Sequence, residues 1–192
     1  MATPRQLVEI VAEIVGVSVA TVIVHDRNLS TAPVPLRTVA GRGRAAAKVT
    51  AIDAANLLIA VAASESVKDS VKTVLNYRDL RGEKTIASGV RRYDELPANH
   101  TFGQALAAFI EAAAAKEITL SRKFNLKLMF YGPRPKAEIE WKINGHGSST
   151  MYEPKSKWPA RDKLANVGDL ERMTTITENT IFCVGEKIGA ML

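Results

Sequence analysis

Four cations, Arg37, Arg42, Arg44 and Lys48, fall within twelve residues that contain no acid. Glycines interleave with two of them, as Gly41-Arg42-Gly43-Arg44. Guanidinium groups suit phosphate oxygens, because they donate paired, charge-assisted hydrogen bonds. Glycines let the main chain come close to such a surface. The run is too short and wrongly placed for a dinucleotide or P-loop fingerprint. Other candidate chemistry is thin. His25, His100 and His146 have no second His or Cys at metal-ligand spacing. The polar stretch 144–149 holds His146 with Ser148 and Ser149, but it reads as a turn after a strand. Cys183 falls on the apolar side of a helical pattern and reads as a buried structural thiol. Glu138 and Glu140 alternate with Lys136 and Lys142, which suits cross-strand charge pairing better than acid–base work. No enzyme, metal or cofactor is therefore expected.

The chain has 192 residues, 26 basic against 20 acidic, for a net charge of +6. The excess is uneven. Residues 1–60 carry 6 basic and 4 acidic groups, 61–115 carry 7 of each, and 116–172 carry 12 against 7. No apolar run approaches the roughly 18 residues of a membrane span. The first residues do not have the pattern of a secretory signal. One cysteine excludes a disulfide framework and a cysteine-based zinc finger within the chain. A cytoplasmic protein with a polyanionic partner and no membrane contact is expected.

The elements that would position these groups follow from periodicity. Thr3, Pro4 and Gln6 form a helix start with a capping box, and Leu7, Ile10, Val11 and Ile14 supply an apolar stripe. Gly16 stops this helix. Ser18 caps a second segment, 19–29, whose β-branched run also suits a strand; the helix is preferred. Residues 31–49 read as a loop or a hairpin of short strands. Thr50 with Asp53 opens a helix apolar almost all round, and Ser64 is expected to cap another with Val67, Val71, Val74 and Leu75 on one face. Residues 76–100 look irregular. Thr101 with Gln104 starts a further helix. Segments 125–131 and 136–143 then alternate at period two, around Gly132-Pro133-Arg134-Pro135, as a hairpin. A strand at 151–152, an exposed loop at 153–170, a short strand at 173–177 and a final helix from 179 or 180 complete the pattern.

Ala12, Gly16, Val17, Ser18 and Val22 have the spacing of a helix-turn-helix. A small residue allows close crossing, and a left-handed residue follows four positions later. A plain αα-hairpin has the same signature. In the motif the second helix enters the major groove, which places Ser18, Val19, Ala20 and Thr21 nearest base edges, with His25 a turn further on and Arg27 toward phosphate. These small residues suit thymine methyls or a hydroxyl hydrogen bond, and no bidentate Arg or Asn is present. His25 stands where an apolar residue is usual. The basic run 37–48 then reads as a wing, reaching phosphates or a narrow minor groove; alone it is equally a solvated turn.

On these residues the segment 3–62 resembles winged helix-turn-helix transcription regulators. The stretch 41–60 also resembles phage and prophage proteins of alphaproteobacteria. With the periodicity of the second half, which carries no such resemblance, the expected architecture is an α+β protein with three parts: a winged helix-turn-helix at 1–62, a helical and irregular connector at 63–94, and helices on a small antiparallel sheet at 95–192, the last mediating oligomerisation or partner contact. The resemblance implies sequence-selective binding of double-stranded DNA in transcription control, with Ser18, Val19, Ala20, Thr21, His25, Arg27, Arg37, Arg42, Arg44 and Lys48 as contacts. A homodimer or higher homo-oligomer is expected, because paired half-sites raise affinity and specificity. The basic region 116–172, with Tyr131, Trp141, Tyr152 and Trp158, offers a second surface for a protein partner or unpaired bases, although alternation puts Trp141 in the core. Two alternatives remain: a small subunit of a phage DNA-packaging machine, and a protein-interaction module that inhibits a host factor.

Overall fold

A computed structural model describes residues 2–34, 36–38, 48–83, 87–121, 124–154 and 171–189. The fold is α+β, with seven helices and one antiparallel five-stranded sheet among these residues. Helices α1 (Pro4–Val15), α2 (Val19–Ser30), α3 (Ala51–Ala63) and α4 (Ser70–Arg78) come first. The two-residue strand β1 (Arg81–Gly82) and the short α5 (Arg91–Asp94) precede α6 (Phe102–Ala114). Strands β2 (Phe124–Gly132), β3 (Lys136–Ile143), β4 (His146–Glu153) and β5 (Arg172–Thr177) lead into α7 (Glu178–Gly189). The sheet order is β1-β4-β3-β2-β5.

Local chemistry explains most boundaries. Thr3, Thr50 and Thr101 each close a capping box, with Gln6, Asp53 and Gln104 as partners. The alternation expected in β2 and β3 is real. Phe124, Leu126, Leu128 and Phe130 turn to the core with Ala137, Ile139 and Trp141, while Lys127, Glu140 and Lys142 face out. Asn144 and Gly145 both have positive φ, 52° and 87°. They make the tight β3–β4 turn that an Asn-Gly pair favours. His146 and Ser148 are therefore strand residues beyond a hairpin turn.

Rings tie the helices to one face of the sheet. Phe130 meets Tyr77 of α4 and Phe102 of α6, and Phe124 meets Phe182 of α7. Beneath α6 lies a buried polar cluster. Nδ1 of His100 donates to the Pro97 carbonyl at 2.9 Å, so Nε2 accepts from the Tyr152 hydroxyl at 2.7 Å. Tyr93 lies within hydrogen-bonding distance of both Tyr152 and Thr150. Burial pushes the Tyr152 phenol far above its ordinary range.

Several sequence expectations change. Ser64 ends α3 rather than starting the next helix; a 3-10 turn at Val67–Asp69, capped by Ser66, leads into α4. The inner face of α4 is Ser70, Thr73, Val74 and Tyr77, and Leu75 is exposed. Residues 76–100, read as irregular, supply β1 and α5. One cluster of buried apolar side chains runs from Ala2 to Ile188 among the described residues. Cys183 is only half-buried, beside Asn179. Trp141 and Tyr152 are core residues, so neither offers a ring for stacking; Trp158 lies outside the described residues. No helix among the described residues is long and apolar enough to cross a membrane.

Candidate nucleic-acid interface

The α1–α2 turn has the expected geometry. Gly16 adopts φ 75° and ψ 31°, the left-handed region. Its N–H and that of Val17 both donate to the Ala12 carbonyl, at 3.0 and 3.1 Å. That satisfies the last turn of α1 and sends the chain directly into α2. Ser18 caps α2: its Oγ accepts the Thr21 N–H at 3.1 Å and lies 2.7 Å from the Thr21 hydroxyl oxygen. Inward from α2 point Val22, His25 and Leu29, all buried.

His25 is thus a core residue, and the expectation that it faces a groove is corrected. It occupies the position where an apolar side chain is usual because Ser70 gives its ring a polar partner. Ser70 donates its only hydroxyl proton to the Val67 carbonyl, so the bond of 2.8 Å between Ser70 and His25 must be donated by Nδ1. Asn28 joins the same cluster, donating to the Val67 carbonyl at 2.7 Å. Burial holds the His25 imidazole below its ordinary value of 6.5. The unfolded chain therefore takes up a proton that the folded chain resists. The stability contributed here is complete above about pH 6.5 and is lost as pH falls through the window below it, with a slope of at most about 1.4 kcal/mol per pH unit. We expect His25→Asn, which keeps a donor for Ser70, to flatten this slope in urea unfolding measured from about pH 7.5 to about pH 5. An equal slope in both proteins would remove His25 as its source.

The outward face of α2 is Val19, Ala20, Ile23, Val24 and Arg27. Three large apolar groups are open to solvent there: Val19 is 45% exposed, Ile23 52% and Val24 40%. Val19, Ala20 and Arg27 were anticipated on this face. Ile23 and Val24 were not, because the base-reading residues were taken from the helix N-terminus, with His25 as the one position a turn further on. Helical phase alone, one turn on from Val19 and Ala20, would have found them.

The segment after α2 is pinned at both ends by α3. The N–H and hydroxyl of Thr38 donate to Oδ1 of Asp53 at 2.6 and 3.2 Å. Those of Thr50 donate to Oδ2, both at 2.8 Å. One buried carboxylate therefore holds the residues where the basic segment leaves and returns. Asn56, a turn further along α3, donates to the Leu36 carbonyl at 2.7 Å, and Val49 donates to the Ala2 carbonyl at 3.0 Å. Asp53 was read only as a helix-capping residue; no local signal marks its pairing with Thr38, fifteen positions away.

Arg37 is taken by this stem. Its guanidinium lies 2.7 Å from Asp26 of α2, and both side chains are mostly buried. It is an internal ion pair and not the phosphate contact expected of it. Burial raises the Asp26 carboxyl above the usual range; Arg37 opposes this, and the charge of Asp53 adds to it. Lys48 is exposed at the far end of the stem. Arg42 and Arg44, and the hairpin expected around them, lie outside the described residues. The structure therefore brings Val19, Ala20 and Arg27 onto one surface, ties Ser18 and Thr21 to each other, and turns His25 and Arg37 inward.

Among the described residues no group of three or more His, Cys, Asp or Glu side chains is placed to hold a metal ion. Comparison with protein-family models, with curated proteins and with solved structures found no significant match.

Proposed function

We propose that this protein binds duplex DNA through the α1–α2 pair in the manner of a winged helix-turn-helix regulator, with α2 as the recognition helix and the 39–47 segment as a basic wing. The observation that carries the reading is the left-handed turn at Gly16, followed by a helix whose N-terminal half has an outward face free of acids. The closed stem at Asp53 adds support, since a phosphate-binding wing needs a fixed base. Control of transcription is the role that fits, with paired half-sites read by a homodimer.

The wing supplies the test. In fluorescence anisotropy with labelled duplexes, Arg42→Ala with Arg44→Ala should weaken binding roughly equally across sequences and flatten the log–log salt slope by about 2, one for each lost phosphate contact. Unchanged affinity in a folded variant would remove the wing.

A second reading is a protein-interaction module, which the bare apolar groups Val19, Ile23 and Val24 favour. Binding to a protein and indifference to salt would support it. A DNA-packaging subunit would also bind duplexes, as a ring larger than a dimer in light scattering.

A further inference from the structure

We propose that α2 reads the 5-methyl groups of thymine, with Ile23 and Val24 as specificity residues beside Val19 and Ala20. The inference rests on the duplex-binding reading above. Its basis is that the polar side chains of α2 other than Arg27 lie off the outward arc or are bonded within the chain. Ser18 and Thr21 bond each other, His25 bonds Ser70, and Asn28 bonds the Val67 carbonyl. Asp26 is paired with Arg37, and the Ser30 hydroxyl donates to the Arg27 carbonyl. The outward arc retains Val19, Ala20, Ile23 and Val24, spread over about 140° of the helix at 100° per residue. Arg27 sits on the same arc, a cation suited to a phosphate at the groove edge.

Hydrogen-bond readout of base edges needs donors or acceptors, and this face has none apart from that guanidinium. Methyl contact needs what it does have. In the major groove only thymine presents a methyl group, at C5. A helix with its side chains is about 10–12 Å across, and the groove is about 12 Å wide, so the arc can lie on the groove floor. The absence of carboxylates from the arc completes the match to a polyanion.

The test uses the full chain and short duplexes recovered by selection from a random pool. Each is resynthesised with thymidine or with deoxyuridine, which differs only by the methyl. Removing one buried methyl is worth about a 4-fold change in affinity, so two contacted thymines should give about 15-fold weaker binding of the uracil duplex. The salt slope should not move. Ile23→Ser with Val24→Ser, both exposed positions, should lose most of the difference between the two duplexes while keeping its thermal midpoint. Equal wild-type affinity for the two duplexes would overturn methyl readout and leave duplex binding standing. Absence of salt-dependent binding to any duplex would overturn both. Loss of a dimer in gel filtration by the double variant, with the thymine preference retained, would make this arc an interface between copies and overturn the inference.

Discussion

Gly185→Val should strip α7 from the rest of the molecule and cost more than about 3 kcal/mol, beyond the usual range for a point change. A Cβ at Gly185 would stand 2.5 Å from the Cβ of Ala113, 2.7 Å from the Ile110 carbonyl and 3.0 Å from the Ala114 nitrogen. Two of the three are backbone atoms of α6, which no rotamer change can move aside. A Cβ at Gly189, one turn on, would stand equally close to the Ala114 carbonyl oxygen, at 2.6 Å. Helices α6 and α7 therefore touch backbone to backbone along this edge. Separating them would expose Ile181, Phe182, Val184 and Ile188, all buried, and release the Lys187–Glu13 ion pair at 2.6 Å that joins α7 to α1. Gly185→Ala should already lower the urea midpoint, with valine lower still or failing to fold. A midpoint equal to wild type for both would contradict the close approach.

Asp53→Ala should destabilise by about 3 kcal/mol, combining a lost helix cap with buried donors left unpaired. For a chain of this size that corresponds to a fall of about 6–12 °C in thermal midpoint. The carboxylate accepts from two N–H groups and two hydroxyls, and the residue is 3% exposed. The loss should also be local. With the stem open, trypsin should cut after Arg37 and Lys48 faster than in wild type. Asp53→Asn should fall between the two proteins, because the amide keeps one acceptor oxygen and sets an NH2 against donors. Global destabilisation without faster cleavage at the stem would reduce Asp53 to a cap.

The starts of α1, α3 and α6 were legible because a capping box is a contact between residues three apart, and Gly16 because a left-handed turn selects glycine at one position. The β2–β3 hairpin was legible because one buried and one wet face impose period two. The turn at Asn144-Gly145 was legible for the same reason, since an Asn-Gly pair takes up positive φ locally; that His146 and Ser148 continue as a strand was not.

Other features belong to long-range pairing, which no local pattern encodes. Ala113 and Ala114 carry no local signal of their role, which is to admit Gly185 and Gly189 at close range. His25 looks like an exposed reader until Ser70, forty-five positions on, accepts its proton donor. Arg37 looks like a phosphate ligand until Asp26 is found beside it. Composition and periodicity settled most of the element types and the faces of β2 and β3, and showed the basic run at 37–48, since each depends on neighbours within a turn or a strand pair. Which of those polar groups remain open to a partner was decided only by the packing, because a side chain's availability depends on what the fold sets against it.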